Sequence, residues 1–242
     1  MSLSTKNERL FMPALSDIPQ HVALIPDGNR RWAKEHNVPS FEGHRRGYER
    51  INEISEAAQE LGIKTMTVWG FSTENWAREE SEREFLFKLF MRLLRRVARE
   101  ARSHNIRVKH LGRKDRLPAI ILSHLKKLEE STSTHTGYQL NLALDYGGRD
   151  EILRAVRKML DSNLSSEDLD EKMFGQFLDT ESAPDPDFII RTSGEQRMSG
   201  LLPWQGTYAE YYFSPLHLPD FGADQFRLAI ADYTSRQRRF GK

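Results

Sequence analysis

The sequence contains no cysteine among its 242 residues, so disulfide bonds and thiolate metal sites are excluded. No apolar run approaches the roughly 18 residues that a membrane span needs, and the N-terminal segment 1–20 lacks the apolar centre of a signal peptide. The net charge is only +1, whereas nucleic-acid-binding proteins typically carry a large positive charge. These absences predict a cytoplasmic protein that does not bind nucleic acid.

Strand-like and helix-like segments alternate along the chain, and no internal repeat is present. This alternation predicts an α/β protein in which helices flank a central, mostly parallel sheet. The length suits a single domain as well as two small ones. A polar N-terminal arm is expected over residues 1–20, disordered and ahead of a folded domain of residues 21–242. The predicted strands are 22–25, 65–69, 106–111, 138–144, 187–191 and 208–213. The predicted helices are 48–61, 82–103, 118–130, 149–160 and 223–236, with a short one through 32–35.

The segment HVALIPDGNRRW, from His21 to Trp32, places a carboxylate, a glycine and two arginines where a buried strand gives way to a helix. Its Asp-Gly-Asn sequence permits a tight turn after the strand. Free N–H groups at a helix start and the neighbouring guanidinium groups attract phosphate, and a carboxylate can hold a divalent metal against it. The alternative for this segment alone is an ordinary solvated Asp-Gly turn.

Two further segments that follow predicted strands also concentrate polar side chains. Residues 71–78 (FSTENWAR) combine a hydroxyl, an acid, an amide, an indole and a guanidinium, and residues 191–199 (RTSGEQRMS) place two arginines and two serines around a glycine. Arginine forks and hydroxyl donors suit phosphate oxygens. Each segment alone is also typical of a solvated turn. Because ligands of parallel sheets bind outside the carboxyl ends of the strands, the three segments together predict one anion-binding site.

These segments, with EGHRRG, DYGGR, PWQGTYAEYYF and the terminal RRFG, resemble the cis-prenyltransferase family, whose best-known members are undecaprenyl diphosphate synthases. The resemblance extends from His21 to Gly241, with the motifs in the family's order. It implies a sheet whose helices surround a hydrophobic tunnel, a homodimer, and a catalytic role for the domain 21–242. No DDxxD motif occurs, which separates this chain from the trans-type synthases. Neither GxGxxG nor GxxxxGK[ST] occurs, which argues against a nucleotide-binding protein.

The reaction implied by the resemblance adds isopentenyl diphosphate to an allylic diphosphate, forms a Z double bond and releases pyrophosphate. Negative charge grows on the pyrophosphate as the allylic C–O bond breaks, and cationic side chains with Mg2+ stabilise such charge. The implied location is the cytoplasm, with membrane association through the lipid product.

The family's functional positions match this sequence residue by residue. The catalytic positions match Asp27 and Asn75. The allylic diphosphate positions match Gly28, Asn29, Arg30, Arg31, Trp32 and His44. The isopentenyl diphosphate positions match Ser72, Glu74, Trp76, Arg78, Arg191, Arg197 and Ser199. The Mg2+ positions match Asp27 and Glu210, and Glu210 lies in the region through which the family's partner subunit contributes an acid.

Four positions depart from the family pattern. Pro26 replaces a usual methionine, Ser40 an arginine, Gln196 a histidine and Pro203 a leucine. The lost arginine and histidine remove two candidate phosphate or metal contacts. A proline before the Asp-Gly turn also resembles the irregular members of the family, which couple two dimethylallyl diphosphate units head to middle. The intact FSTENWAR segment favours the regular reaction.

Further alternatives concern a different role and a different surface. A non-catalytic partner subunit of the same fold is the rival hypothesis, although such subunits lose the aspartate and the loop that this chain keeps. The arginines at 92, 95, 96, 99 and 102 predict a solvated helix face, with contact to anionic lipid head groups as the alternative. Phe85 and Phe90 suggest a tunnel floor that stops a short product, whereas Gly70 suggests room for a longer one.

Overall fold

The computed structural model describes residues 18–162 and 164–236. Most of the predicted N-terminal arm, residues 1–17, therefore lies outside the described residues. The last residues of that arm belong to the folded domain, because Ile18 is buried in the core and the backbone N–H of Gln20 donates to Asp187 Oδ2 at 2.8 Å.

Six strands form one sheet in the order β3-β4-β2-β1-β5-β6, and every neighbouring pair is parallel. The prediction of a mostly parallel sheet is thus confirmed. Parallel strands need long crossovers, which the intervening helices supply. The strands are β1 His21–Ile25, β2 Thr65–Ser72, β3 Arg107–Leu111, β4 Gln139–Tyr146, β5 Phe188–Arg191 and β6 Glu210–Phe213.

Seven α-helices lie within the described residues. They are α1 Asn29–Glu35, α2 Ser40–Glu60, α3 Glu80–Ser103, α4 Ala119–Ser131, α5 Gly148–Leu160, α6 Glu171–Gly175 and α7 Ala223–Ser235. The prediction for α2 began at residue 48, eight residues late, because the first two turns carry few apolar side chains. The segment Thr73–Ala77, predicted as a loop, forms a short 3-10 helix.

The sheet buries apolar side chains on both faces, which explains the continuous apolar runs of its central strands. Val22 and Leu24 of β1 point into the larger core beneath α2, α3, α4 and α7. The alternate residues Ala23 and Ile25 join a smaller core on the other face. Both faces are therefore occupied by packing, which leaves the strand ends as the place for ligands.

A ladder of buried polar side chains crosses the sheet from β1 to β4. His21 Nε2 lies 2.8 Å from Thr67 Oγ1, which also accepts a hydrogen bond from Asn141 Nδ2 at 3.0 Å. His21 Nδ1 lies 2.7 Å from the carbonyl oxygen of Pro184. Burial lowers the pKa of His21 to about 4, despite this backbone hydrogen bond. The native state therefore keeps the His21 ring neutral at pH values where an unfolded chain binds a proton.

We expect His21 to destabilise the fold as the pH falls from 7 to 5. The unfolded state takes up a proton near pH 6.5 and the native state does not, so the stability falls by about 2 kcal/mol for this one group. Urea unfolding at pH 7, 6 and 5 measures the loss, and His21→Gln should reduce it. His124→Gln, at a half-buried position on α4, is the matched control. An identical pH dependence in the wild type and His21→Gln would contradict the assignment.

Candidate active site

The segments that follow β1, β2 and β5 meet at one edge of the sheet, because these three strands are adjacent and parallel. They surround a cleft of about 400 Å³, which is continued by a second, more polar cleft of about 410 Å³. Asp27 lines both clefts. The structure therefore brings the three polar segments together, as the sequence predicted.

The Asp27-Gly28 turn is held rigidly from the β5 side. Thr192 Oγ1 accepts from the Asp27 N–H and donates to the Asp27 carbonyl oxygen, both at 2.8 Å. The Leu218 N–H donates to the same carbonyl oxygen at 3.0 Å. Gly28 has a φ of 99°, and a Cβ there would lie 2.5 Å from Ser193 Oγ. Only glycine therefore fits this turn.

The Asp27 carboxylate is held by two guanidinium groups. Arg191 Nη2 donates to Asp27 Oδ2 at 2.9 Å, and Arg31 Nη2 lies 3.2 Å from Asp27 Oδ1. Burial raises the pKa of Asp27, but the hydrogen bond from Arg191 and the charge of Arg31 outweigh it and hold the pKa below its usual value. Asp27 is therefore an ionised carboxylate that faces the clefts.

Arg191 is the buried cation of the site. Its Nη1 donates to Ser199 Oγ at 2.8 Å and to the carbonyl oxygen of Arg197. Its Nε is buried without a hydrogen-bond partner among the described residues. A buried guanidinium donor that lacks a partner is costly, so an anion in the cleft would stabilise this arrangement.

The second cleft holds a paired cluster of opposite charges. Glu195 accepts a hydrogen bond from Arg31 Nη1 at 2.8 Å through Oε1, and it pairs with Arg197 through Oε2. Glu195 lies between two arginines of the segment that the sequence singled out. No role was predicted for Glu195 from the sequence, although its position between those cations was the available signal.

A second charged cluster lies around Glu82, in the first turn of α3. Arg78 Nη1 donates to Glu82 Oε1 at 2.8 Å, His44 Nε2 lies 3.3 Å from the same oxygen, and Arg30 Nη1 lies 3.6 Å from Oε2. The His44 Nε2 contact lacks the alignment of a hydrogen bond, which leaves that buried nitrogen without a partner among the described residues. Burial, followed by the positive charge of Arg78, lowers the pKa of His44 to about 4. His44 is therefore neutral at pH 7.

The residues of the first cleft fit a magnesium ion held in the usual way, by one or two carboxylates together with substrate phosphates. Asp27 supplies the carboxylate, and Asn29 Oδ1 is a buried oxygen without a hydrogen-bond partner among the described residues. Within residues 18–162 and 164–236, no three His, Asp or Glu side chains are grouped closely enough to hold a metal by themselves.

The β2 segment is shaped by its own side chains. Asn75 Oδ1 accepts from the Ser72 N–H at 3.1 Å, which closes the turn that begins the 3-10 helix. Trp76 points away from the clefts, and its Nε1 donates to the buried Asp145 carboxylate at 2.8 Å. Arg83 and Arg116 each place a guanidinium 5.8 Å from the Trp76 ring centroid. Trp76 therefore anchors the segment and does not line the clefts, and its direct contact with isopentenyl diphosphate stays a prediction.

The predicted site residues separate into those that line the clefts and those that do not. The cleft-lining residues are Asp27, Gly28, Asn29, Arg30, Arg31, His44, Ser72, Glu74, Asn75, Arg78, Arg191, Arg197 and Ser199. Trp32, like Trp76, lies outside this group. Its ring is buried and stacks on His36 with centroids 4.1 Å apart, and the contact of Trp32 with the allylic diphosphate stays a prediction.

Glu210 lies at the opposite end of the sheet from Asp27. It pairs in register with Phe188, which pairs with Val22, so it is displaced from Asp27 by roughly 16 Å along the strands at about 3.3 Å per residue. Its carboxylate accepts from Arg236 Nη1 at 2.9 Å. Within one chain Glu210 is therefore too far from Asp27 to share a metal ion with it, and the metal shell completed by an acid from a partner subunit stays a prediction.

The four departures from the family pattern lie in different surroundings. Pro26 lines both clefts, directly before Asp27. Ser40 opens α2 and Gln196 is exposed, and neither lines the clefts. Pro203 packs against Gly148, where a Cβ would lie 2.2 Å from Pro203 Cδ. Pro26 is thus the departure placed to influence a bound ligand.

The apolar end of the first cleft is lined by Tyr48, Leu86 and Gly70. Phe90 packs edge to face on Tyr48 with ring centroids 5.8 Å apart. A Cβ on Gly70 would lie 2.7 Å from Leu144 Cδ2, so a larger side chain there would have to displace Leu144. Gly70 itself lines the cleft and Phe90 packs behind Tyr48, so the expected room beside Gly70 and the expected floor at Phe90 both stay predictions.

We expect Asp145 to stabilise the β2 segment through its charge and its backbone. Asp145 is fully buried, adopts a φ of 53°, and binds both Trp76 and Arg116. Asp145→Ala should lower the free energy of unfolding by about 3 kcal/mol, because it leaves a buried indole N–H and a guanidinium unpaired. Denaturant unfolding followed by tryptophan fluorescence measures this change.

Two further variants distinguish this role from a general loss of charge. Asp145→Asn should retain more stability, since asparagine tolerates a positive φ and still accepts from Trp76. Asp115→Ala removes an exposed partner of Arg113 and should cost less than about 1 kcal/mol. If Asp145→Ala unfolds at the same denaturant concentration as the wild type, Asp145 does not stabilise the β2 segment.

Comparison with known proteins identifies the family to which this site belongs. A family model described as "Putative undecaprenyl diphosphate synthase" matches residues 25–241. An isoprenyl transferase of Aquifex aeolicus (strain VF5) is 44% identical over 225 residues, which cover 93% of this chain and 96% of the relative. An isoprenyl transferase of Streptococcus pyogenes serotype M1 is 43% identical over 236 residues, which cover 94% and 95%.

Two solved structures share the fold closely. Lavandulyl diphosphate synthase from Lavandula x intermedia, in complex with dimethylallyl diphosphate, gives a TM-score of 0.90 at 36% identity, covering 94% of this chain and 100% of that one. A probable undecaprenyl diphosphate synthase from Campylobacter jejuni gives a TM-score of 0.78 at 31% identity, covering 93% and 99%. The chain therefore belongs to the isoprenyl transferase family of the undecaprenyl diphosphate synthases and is a prenyltransferase.

Proposed function

We propose that this prenyltransferase condenses isopentenyl diphosphate with an allylic diphosphate to give a Z-prenyl diphosphate. The observation that carries the proposal is the pair of cationic clusters on either side of Asp27. Arg30 and His44 lie on the α1 and α2 side, and Arg191 and Arg197 lie on the β5 side. Two diphosphates can thus lie next to each other with one ionised carboxylate between them.

The first cluster would hold the allylic diphosphate. When its C–O bond breaks, the bonding electrons leave with pyrophosphate, and the positive charge of Arg30 stabilises that leaving group. Neutral His44 presents a buried Nε2 that lacks a partner among the described residues, and its N–H can donate to a phosphate oxygen. Asn29 and the Gly28 turn would fix the diphosphate between these groups.

The second cluster would hold isopentenyl diphosphate through Arg191, Arg197 and Ser199. Its alkene electrons form the new C–C bond to the allylic carbon. The adjacent carbon then loses a proton to an oxygen of the released pyrophosphate, and the electrons of that C–H bond form the new double bond. Ser72 and Asn75 line the same cleft as Arg191 and would orient the reacting alkene. Glu74 and Arg78 complete the polar wall on the β2 side.

Mg2+ bound by Asp27 and substrate phosphates would neutralise charge on the departing pyrophosphate. Asp27 is suited to this role because it is ionised and fixed by the Thr192 hydrogen bonds. In the free protein Arg191 and Arg31 occupy its oxygens, so a metal would replace at least one of these contacts.

An irregular head-to-middle coupling of two dimethylallyl diphosphate units is the second candidate function. It is favoured by the TM-score of 0.90 to lavandulyl diphosphate synthase and by Pro26, which lines both clefts. The curated isoprenyl transferases at 43–44% identity and the intact FSTENWAR segment favour the regular reaction. The two reactions differ in which alkene carbon lies about 3–3.5 Å from the allylic cation, and a small shift of one diphosphate changes that carbon.

Product analysis with and without isopentenyl diphosphate separates the two functions. With Mg2+ and dimethylallyl diphosphate alone, we expect no product, and labelled isopentenyl diphosphate should be incorporated when it is added. Asp27→Ala should abolish turnover even under conditions where the variant is folded, although the buried Arg191 loses a partner and stability falls. Asp168→Ala, at an exposed position outside the clefts, should retain turnover. A branched product from dimethylallyl diphosphate alone, identified by NMR, would establish the irregular reaction instead.

We also propose a homodimer in which the partner subunit brings an acid to the Asp27 site. The edge strand β6 leaves Tyr211 and Phe213 only half-buried, and Tyr208 just before it is exposed. Unpaired edge strands with apolar side chains are typical pairing surfaces. Sedimentation equilibrium tests this proposal, and a monomeric mass under turnover conditions would contradict it.

A peripheral membrane contact is proposed for the outer face of α3. Five cations recur there at spacings of four and three residues, so they share one helix face about 21 Å long. They are Lys88, Arg92, Arg95, Arg99 and Arg102. No ion pair or hydrogen bond to these side chains occurs within the described parts of the chain, whereas Arg96 pairs with Glu56 and Glu100. Anionic lipid would complement this row by about 1 kcal/mol per cation.

Within the described ranges, no helix is long and apolar enough to cross a membrane. We expect the protein to float with vesicles that contain anionic phosphatidylserine, and less with neutral vesicles of phosphatidylcholine. Arg95→Glu with Arg99→Glu should reduce flotation, because each change reverses a charge on the row. Arg149→Glu with Arg157→Glu, on exposed positions of α5, is the matched control. Equal flotation of the two double variants would contradict the proposal.

A further inference from the structure

Glu82 occupies the centre of the first cationic cluster. Its Oε1 accepts from Arg78 at 2.8 Å and lies 3.3 Å from His44 Nε2, while its Oε2 lies 3.6 Å from Arg30 Nη1. The Glu82 side chain is only 17% exposed, so solvent screens these contacts incompletely. One carboxylate thus lies within 4 Å of three groups that the proposed function assigns to diphosphate oxygens.

The arrangement differs from an ordinary surface ion pair. Arg78 lies four residues before Glu82 and is a local partner, but His44 and Arg30 come from α2 and α1. The carboxylate therefore joins three separate segments of the fold around one position. The two oxygens of a carboxylate present negative charge and acceptor sites to these donors in the way that two oxygens of a phosphate do.

We propose that Glu82 is a built-in competitor of the diphosphate, holding Arg30, Arg78 and His44 together until a diphosphate displaces it. A diphosphate placed against the same three groups would bring like charge next to the Glu82 carboxylate. The carboxylate must then leave at least part of the cluster. Glu82 is therefore a positioning residue that lowers diphosphate affinity, an inference that rests on the proposed function of the cluster.

In the second cleft, a carboxylate also pairs with cations that could bind a diphosphate. Glu195 holds Arg31 and Arg197, both of which line that cleft. Its side chain is 28% exposed, and the Arg197 side chain is 59% exposed, so this competitor is more open to solvent than Glu82. Salt and water weaken an exposed ion pair, so Glu82 is the stronger candidate of the two carboxylates.

Binding of inorganic pyrophosphate, measured by calorimetry without metal, tests the proposal directly. Glu82→Gln keeps the size of the side chain and removes the charge, and it should bind pyrophosphate about tenfold more tightly than the wild type, equal to about 1.4 kcal/mol. Glu84→Gln, on the same helix and exposed, should leave the affinity unchanged. A merely structural role for Glu82 would not raise affinity, because disordered cations bind an anion less well.

The outcomes are distinct. Equal or weaker pyrophosphate binding by Glu82→Gln, with a normal unfolding midpoint, overturns the competitor role but leaves the proposed function intact. An absence of binding by both proteins overturns both. If Glu82→Gln unfolds at a lower denaturant concentration, Glu82→Asp decides the matter, because it keeps the charge but shortens its reach to Arg30 and His44. We then expect tighter pyrophosphate binding by Glu82→Asp than by the wild type, and equal or weaker binding would contradict the competitor role.

Discussion

The parallel pairing of β1 between β2 and β5 is the constraint on which the site depends. Parallel strands present their carboxyl ends at one edge, so three segments distant in sequence start from neighbouring points. Thr192 then ties the β1 turn to the β5 segment through both the N–H and the carbonyl oxygen of Asp27. The position of the carboxylate is therefore fixed by backbone contacts before any ligand arrives.

Charge balance is the second organising feature of the site. Three carboxylates, Asp27, Glu82 and Glu195, hold the cations that face the clefts, and most of these contacts join different segments of the chain. Guanidinium groups without carboxylate partners would repel one another in the partly desolvated clefts. The carboxylates keep the cations in place when no substrate is bound. A diphosphate that binds to the same cations must first break some of these ion pairs, which lowers its affinity.

Much of the fold was predictable because its signals are local. Apolar runs marked the strands, and periodic apolar residues marked α3, α4, α5 and α7. The start of α2 was missed, since its first turns carry polar residues and glycine that give no periodic signal. Most of the predicted site residues also line the clefts, because a resemblance spanning the chain carries the positions of loops as well as their composition.

The sequence by itself determined the α/β class, the three polar segments and most of the residues that face the clefts. Only the tertiary structure decided that Trp76 contacts Asp145, that Glu82 lies among Arg30, Arg78 and His44, and that Glu210 lies far from Asp27 within one chain. The physical reason is the range of the interactions. Periodicity and turn chemistry act over a few residues, whereas these contacts depend on crossovers that bring together side chains from distant parts of the chain.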